Sequence, residues 1–171
     1  QGRAPAKAAV ALKPSIARAI AAANSASGKR TIVLGGVNYG DGCASLVHAA
    51  FAAAGNALPE HALETSGIFR VAQGRRAMKS GLRPAPGDIV FLADRPRGAP
   101  AHVGLVTRVE PDGTAIVIHR VARGVMRLRV NLAYPKQTHD PATGKAVNDT
   151  LVVRDEPYPA GSLVVGFAEL L

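Results

Sequence analysis

Apolar positions change their spacing along the chain, and the change divides it into two halves. In the first half they recur at helical intervals. Ser15 to about Asn24 carries Ile16 and Ile20 on one side, with Pro14 just ahead, which predicts a helix capped by Ser15. Leu46, Val47, Ala50, Phe51 and Ala54 follow the pattern of a second helix with one buried face, ending near Gly55. A third is predicted from Thr65 or Ser66 through Met78. It turns Ile68, Val71 and Ala72 inward and Arg70, Arg75, Arg76 and Lys79 outward. Between the first two, Asn24 to Gly28 breaks the chain and Thr31 to Leu34 reads as a short extended piece. A loop rich in glycine (Gly35, Gly36, Gly40, Gly42) then leads into the second helix.

From Pro84 onward the pattern belongs to strands. Pro84 to Asp88 is turn chemistry, followed by the apolar run Ile89–Leu92. Ala101–Val109 and Thr114–Val121 are β-rich runs joined by Glu110-Pro111-Asp112-Gly113, a hairpin turn. Residues 125–132 alternate between apolar and polar positions, and Leu163–Phe167 reads as a buried closing strand. Residues 133–161 are broken by Pro135, Pro141, Gly144, Pro157, Pro159 and Gly161 around a short apolar run, Leu151–Val153. They read as a functional excursion or a poorly ordered segment. Helices first and antiparallel strands afterwards make an α+β fold.

Charge separates the ends further. The chain of 171 residues has a formal net charge of +9, yet residues 1–40 hold six Lys or Arg and no acid. This marks residues 1–30 as a basic, Ala-rich N-terminal segment ahead of a domain spanning 31–171. Such a segment suits an anionic polymer or surface, and equally a solvated tail. Nucleic acid is disfavoured, because few aromatics interleave with the basic residues to stack on bases. No apolar run approaches the ~20 residues that cross a bilayer. A single cysteine excludes an internal disulfide framework.

That cysteine, Cys43, sits where the glycine loop becomes the second helix, with Asp41 placed to cap the first turn. Unpaired N–H groups and the positive end of the helix dipole favour a thiolate there. A small buried hydrophobe is the other reading of the same residue. His102 begins a strand beside a Pro/Gly-rich loop, a position suited to a general base. His119 lies on the return strand of the hairpin. A two- or four-residue loop puts His119 opposite Gly104, on the face of His102. A three-residue loop with a bulge at Gly113 puts the two on opposite faces unless a second bulge intervenes.

Taken in order, Gly35-Gly36, Asp41-Gly42-Cys43-Ala44-Ser45-Leu46-Val47, Pro86–Phe91, Ala101–Val106 and Val117-Ile118-His119 resemble the motifs of the NlpC/P60 cysteine hydrolases, to which the CHAP amidases are related. The resemblance covers about residues 31–120. It departs at Gly42-Cys43-Ala44-Ser45, where the family usually has Asp-Cys-Ser-Gly, and in its longer histidine hairpin. The excursion at 133–161 has no counterpart in it.

The resemblance implies a papain-like fold in which helices pack on a central antiparallel sheet. It further implies Cys43 as nucleophile, His102 as base in direct contact with the sulfur, and His119 as the residue orienting that base. Tyr39, with Asp41, would lie at the oxyanion or substrate-binding side. The implied activity is that of a thiol peptidase or amidase acting through a thioester on peptide or amide bonds of bacterial peptidoglycan. The protein would then be secreted or held in the cell envelope, with no metal or cofactor. Two other classes compete with this reading. One is a catalytically silent module that binds cell wall or another anionic polymer. The other is a metal site using His102, His119 and His139 or Asp140, although no compact ligand spacing is present.

Overall fold

The computed structural model describes residues 11–171. The basic residues Arg3 and Lys7 of the N-terminal segment lie outside the described residues. Helix α1 (Pro14–Ser25) starts with proline in its first turn, and Lys13 rather than Ser15 occupies the capping position, without a side-chain cap. Its Ala19 and Ala23 are fully buried in the same core as the second helix, and the Arg18 guanidinium donates to the Ala54 carbonyl at 3.1 Å. Small residues let this helix approach closely, so much of the stretch read as a basic N-terminal segment is packed against the body.

Strands β1 (Ile32–Leu34) and β2 (Val37–Gly40) form a hairpin with Leu34 opposite Val37. Its two-residue turn is Gly35-Gly36, with φ of 58° and 76°. Positive φ at both positions is what a type I′ turn requires. Helix α2 (Ser45–Ala53) closes with Gly55 at φ 80°. Asn56 donates to Phe51 O and Gly55 to Ala52 O, which satisfies the last carbonyls in a Schellman arrangement.

Helix α3 (Thr65–Gly74) is shorter than its apolar spacing predicts. The chain leaves the helix through Arg76 at φ 53° and then runs along the sheet, bridging Met78 to Ala168. Lys79 consequently does not point outward. It bonds Asp88 at 2.8 Å, and that carboxylate, 2 % exposed, also accepts from the Ala85 amide.

Five antiparallel strands form the central sheet: β3 (Ile89–Ala93), β4 (Pro100–Val109), β5 (Ala115–Val121), β6 (Gly124–Val130) and β9 (Val164–Ala168), in the order β6-β5-β4-β3-β9. One face, bearing Ile89, Phe91, Val103, Leu105 and Ile118, packs on Leu46, Ala50, Phe51 and Ile68 of the helices. The other face carries Val90, Leu92, Val106, Val117 and Leu128. It is covered by Leu163 and Ala160, with Leu151, Val153 and Tyr158 of the hairpin β7 (Thr150–Val153) and β8 (Glu156–Pro159).

The excursion is therefore an ordered third layer. It is anchored by buried Asn148, whose Oδ1 accepts from the amides of Asn131 and Gly161 and whose Nδ2 donates to the carbonyls of Asn131, Tyr134 and Gln137. Leaving any of these backbone groups without a partner would carry a desolvation cost. The architecture is α+β, helices on a central antiparallel sheet, as the sequence predicts.

Candidate functional site

The register of the β4–β5 hairpin decides whether two histidines can meet. The turn takes the three-residue form: Glu110 N donates to Thr114 O, and Gly113 has φ of 86°. That form pairs Val109 with Ala115 and Arg108 with Ile116. A second irregularity then intervenes. Thr107 is unpaired, its hydroxyl donates to Ile116 O at 3.0 Å, and beyond it Val106 faces Val117 and Gly104 faces His119. This bulge returns His119 to the face of His102. Nε2 of His102 and Nδ1 of His119 lie 2.8 Å apart, with the rings edge to face at 70°.

Gly104 makes room for the pair. A Cβ there would lie 2.6 Å from Val117 Cγ1, 3.1 Å from Ile118 O and 3.3 Å from His119 Cβ. The middle neighbour is backbone and cannot step aside. Gly104→Ala is therefore expected to destabilise the protein by about 1–3 kcal/mol and to push His119 off its bond. Thermal melts beside activity measurements check this, with activity falling further than the fraction of folded protein.

His119 is 3 % exposed and His102 half-buried. Burial pushes the His102 imidazole down from the usual 6.5 to about 4. Burial, with His102 as neighbour, pushes His119 down to about 3. Both rings are thus neutral at pH 7, and one must donate to the other. Unfolded histidines take up protons below about 6.5, whereas the folded pair resists until about 4 and 3. The unfolded state binds more protons across that window, so stability is fully present above 6.5 and falls as pH drops through it. Asp88, whose carboxyl is pushed up by burial, works in the opposite direction in its own acidic range. Melting temperatures from pH 7 to 4 are expected to fall, and less steeply in His119→Gln. An equal slope in that variant would count against a buried neutral pair.

Cys43 lies in the turn just ahead of α2, with Ala44 at the capping position. Asp41 is exposed and does not cap the helix. It lies four residues before Ser45, too far back along the chain. Instead the Ser45 hydroxyl accepts the Gly42 amide at 3.0 Å. Cys43 opens into a cleft of about 420 Å³, shared with Gly42, Leu63, Glu64, Thr65, Ser66, Pro100 and Ala101.

Its sulfur contacts the Thr65 hydroxyl at 3.4 Å. The expected contact between Cys43 and His102 is not formed: Sγ is engaged by Thr65 and His102 Nε2 by His119. Strand alternation supplies the reason. His102 pairs with Leu92 and so projects from the face that carries Leu92 and Val117, whereas Cys43 arrives with the helix layer. Pro100 and Ala101, the residues of β4 just before His102, border the cysteine cleft. His102 Nδ1 is the ring nitrogen not engaged by His119.

Tyr39 is half-buried against the helix-side core and does not line this cleft. The side chain beside the sulfur is that of Thr65, the first residue of α3, which in the sequence reads only as a helix start. Nothing in its spacing from Cys43 marks it, because the contact spans 22 residues of chain. Asn131 is spent on structure, bonding Thr114 and the Ala133 and Tyr134 amides. His139 and Asp140 serve a local turn, His139 with Thr138 and Asp140 with the Ala142 amide. Among the described residues no three His, Cys, Asp or Glu side chains come together to hold a metal ion.

The sequence matches the CHAP domain over residues 33–120, just over half of the chain. No protein of curated function matches it. Among solved structures, it resembles a lipoprotein-like protein of the NLP/P60 family from Staphylococcus aureus subsp. aureus Mu50, at 12 % identity and a TM-score of 0.53. That match covers all of this chain and 45 % of the other, so the chain spans less than half the length of its structural neighbour. With the motif order, the paired histidines and the sheet-on-helix architecture in place, the chain belongs to the CHAP domain family and has the fold of an NlpC/P60 protein.

Proposed function

We propose that this protein is a cysteine hydrolase that cleaves peptide or amide bonds of bacterial cell-wall peptidoglycan. The observation that carries the reading is the 2.8 Å bond between His102 Nε2 and His119 Nδ1 at the end of the strand that borders the cysteine cleft. A base needs a fixed tautomer, and a partner on one nitrogen fixes the other. In the proposed reaction Nδ1 of His102 takes the Cys43 proton and the sulfur attacks the amide carbonyl. The resulting imidazolium protonates the leaving amine, and water then hydrolyses the thioester.

A silent binding module is the second reading. It is favoured by one specific observation, that the sulfur bonds Thr65 and not an imidazole. Alkylation with iodoacetamide at pH 7 separates the two. A nucleophile reacts much faster than a free thiol and loses that advantage in His102→Ala, whereas a silent module alkylates slowly in both proteins.

The wall is an anionic polymer, and the net charge of +9 suits attraction to it. An envelope or secreted location goes with this reading. No helix among the described residues is long and apolar enough to cross a membrane. Because α1 is packed into the core, a test of the basic segment has to stop before Pro14. Removing residues 1–12 is expected to weaken sedimentation with cell-wall material and flatten its salt dependence, leaving turnover of soluble fragments intact. Unchanged sedimentation would reduce the segment to a solvated tail.

A further inference from the structure

We infer that Thr65 is a catalytic residue of the proposed hydrolase, its hydroxyl donating first to the Cys43 sulfur and then to the oxyanion. The inference rests on the cysteine-hydrolase reading and assigns a role that neither the motifs nor Tyr39 fills.

Thr65 is 4 % exposed, and its Oγ1 lies 3.4 Å from Sγ. Both belong to one cleft, so a carbonyl brought to the sulfur is also brought to the hydroxyl. An oxygen on the carbon that sulfur attacks comes within about 3 Å of that sulfur. A donor already seated beside Sγ can then meet the ~2.7–3.1 Å spacing an oxyanion donor requires. Position at the first residue of α3 fixes the side chain: the helix start is held by the Ile68 amide bonding the Glu64 carbonyl, and Gly67 packs against the backbone at Ala62.

Bonds and protons balance through the step. The thiol proton passes to His102 Nδ1 and the C–S bond forms. The carbonyl π pair moves onto oxygen, which accepts a hydrogen bond from Thr65. On collapse the C–N bond breaks and the amine leaves with the proton from His102. Thr65 keeps its own proton throughout. It differs from His119, which acts on the base, in touching the reacting sulfur and oxygen directly.

The test uses Thr65→Val, which keeps shape and loses the hydroxyl, and Thr65→Ser, which keeps the hydroxyl. Thr65→Ala replaces the valine variant if circular dichroism shows that valine disturbs the fold. Two readouts are taken: kinetics on soluble peptidoglycan fragments, and the pH profile of Cys43 alkylation by iodoacetamide. Thr65→Val is expected to lower kcat by ~10²-fold with KM within about twofold and to move the alkylation profile to higher pH. Thr65→Ser is expected to keep most of both.

A valine variant within about threefold of the unmodified kcat would overturn the assignment. So would a serine variant as slow as valine, which would make the role one of packing. If the unmodified protein cleaves nothing, the hydrolase reading fails by itself. Thr65's hold on the thiol is then decided by alkylation alone, and an unmoved profile in Thr65→Val overturns it.

Discussion

Replacing His119 with alanine is expected to lower kcat by ~10²-fold or more while leaving the circular dichroism spectrum unchanged. The ring bonds His102 Nε2 at 2.8 Å and is otherwise buried. Without it, His102 loses the partner that fixes its tautomer, so the proposed base no longer keeps Nδ1 free as the proton acceptor. Asn or Gln at this position retains an amide oxygen that can accept the same hydrogen bond, so His119→Asn and His119→Gln should recover part of the rate. The graded order, unmodified above amide above alanine, is what distinguishes orientation of a base from simple filling of space. Equal rates for all three replacements would assign His119 a packing role only.

Cys43→Ala is expected to reduce turnover to background, since no other thiol exists in the chain. His102→Ala should lie within about tenfold of it, because nucleophile and base act as one unit and their losses are not additive. Cys43→Ala should not unfold the molecule: the sulfur is half-buried at a cleft and its one hydrogen bond, to Thr65, is lost. Intact folding together with near-complete loss of turnover is the expected pair of results.

Much of this architecture is legible in the residues. The α2 seam of Leu46, Val47, Ala50 and Phe51 follows from period alone, as does the end of β6, where Leu128 and Val130 are buried and Arg127 and Arg129 exposed. Glu110–Gly113 announces its turn, with Gly113 at positive φ, whereas the stretch that reads as a glycine loop holds strand β2 behind the Gly35-Gly36 turn. What the sequence leaves open is long-range.

Whether His119 reaches the face of His102 depends on the bulge at Thr107. No local preference dictates that bulge, which is sustained by a hydroxyl–carbonyl bond across the hairpin. Lys79 reads as an outward cation because α3 reads as longer. Once the helix stops at Gly74, the ammonium is within reach of Asp88. Residues 133–161 look irregular because their order comes from a buried asparagine bonding scattered carbonyls and amides, which leaves no periodic trace. Thr65 leaves no trace for the same reason: its contact with Cys43 joins the start of α3 to the turn ahead of α2.

The most direct test is to incubate purified peptidoglycan with the protein and analyse the released fragments by mass. The proposed chemistry requires fragments that carry one added water per cleaved amide, as a new amine and a new carboxylate, and requires that Cys43→Ala release none. Absence of fragments from the unmodified protein, or the same fragments from Cys43→Ala, would contradict it.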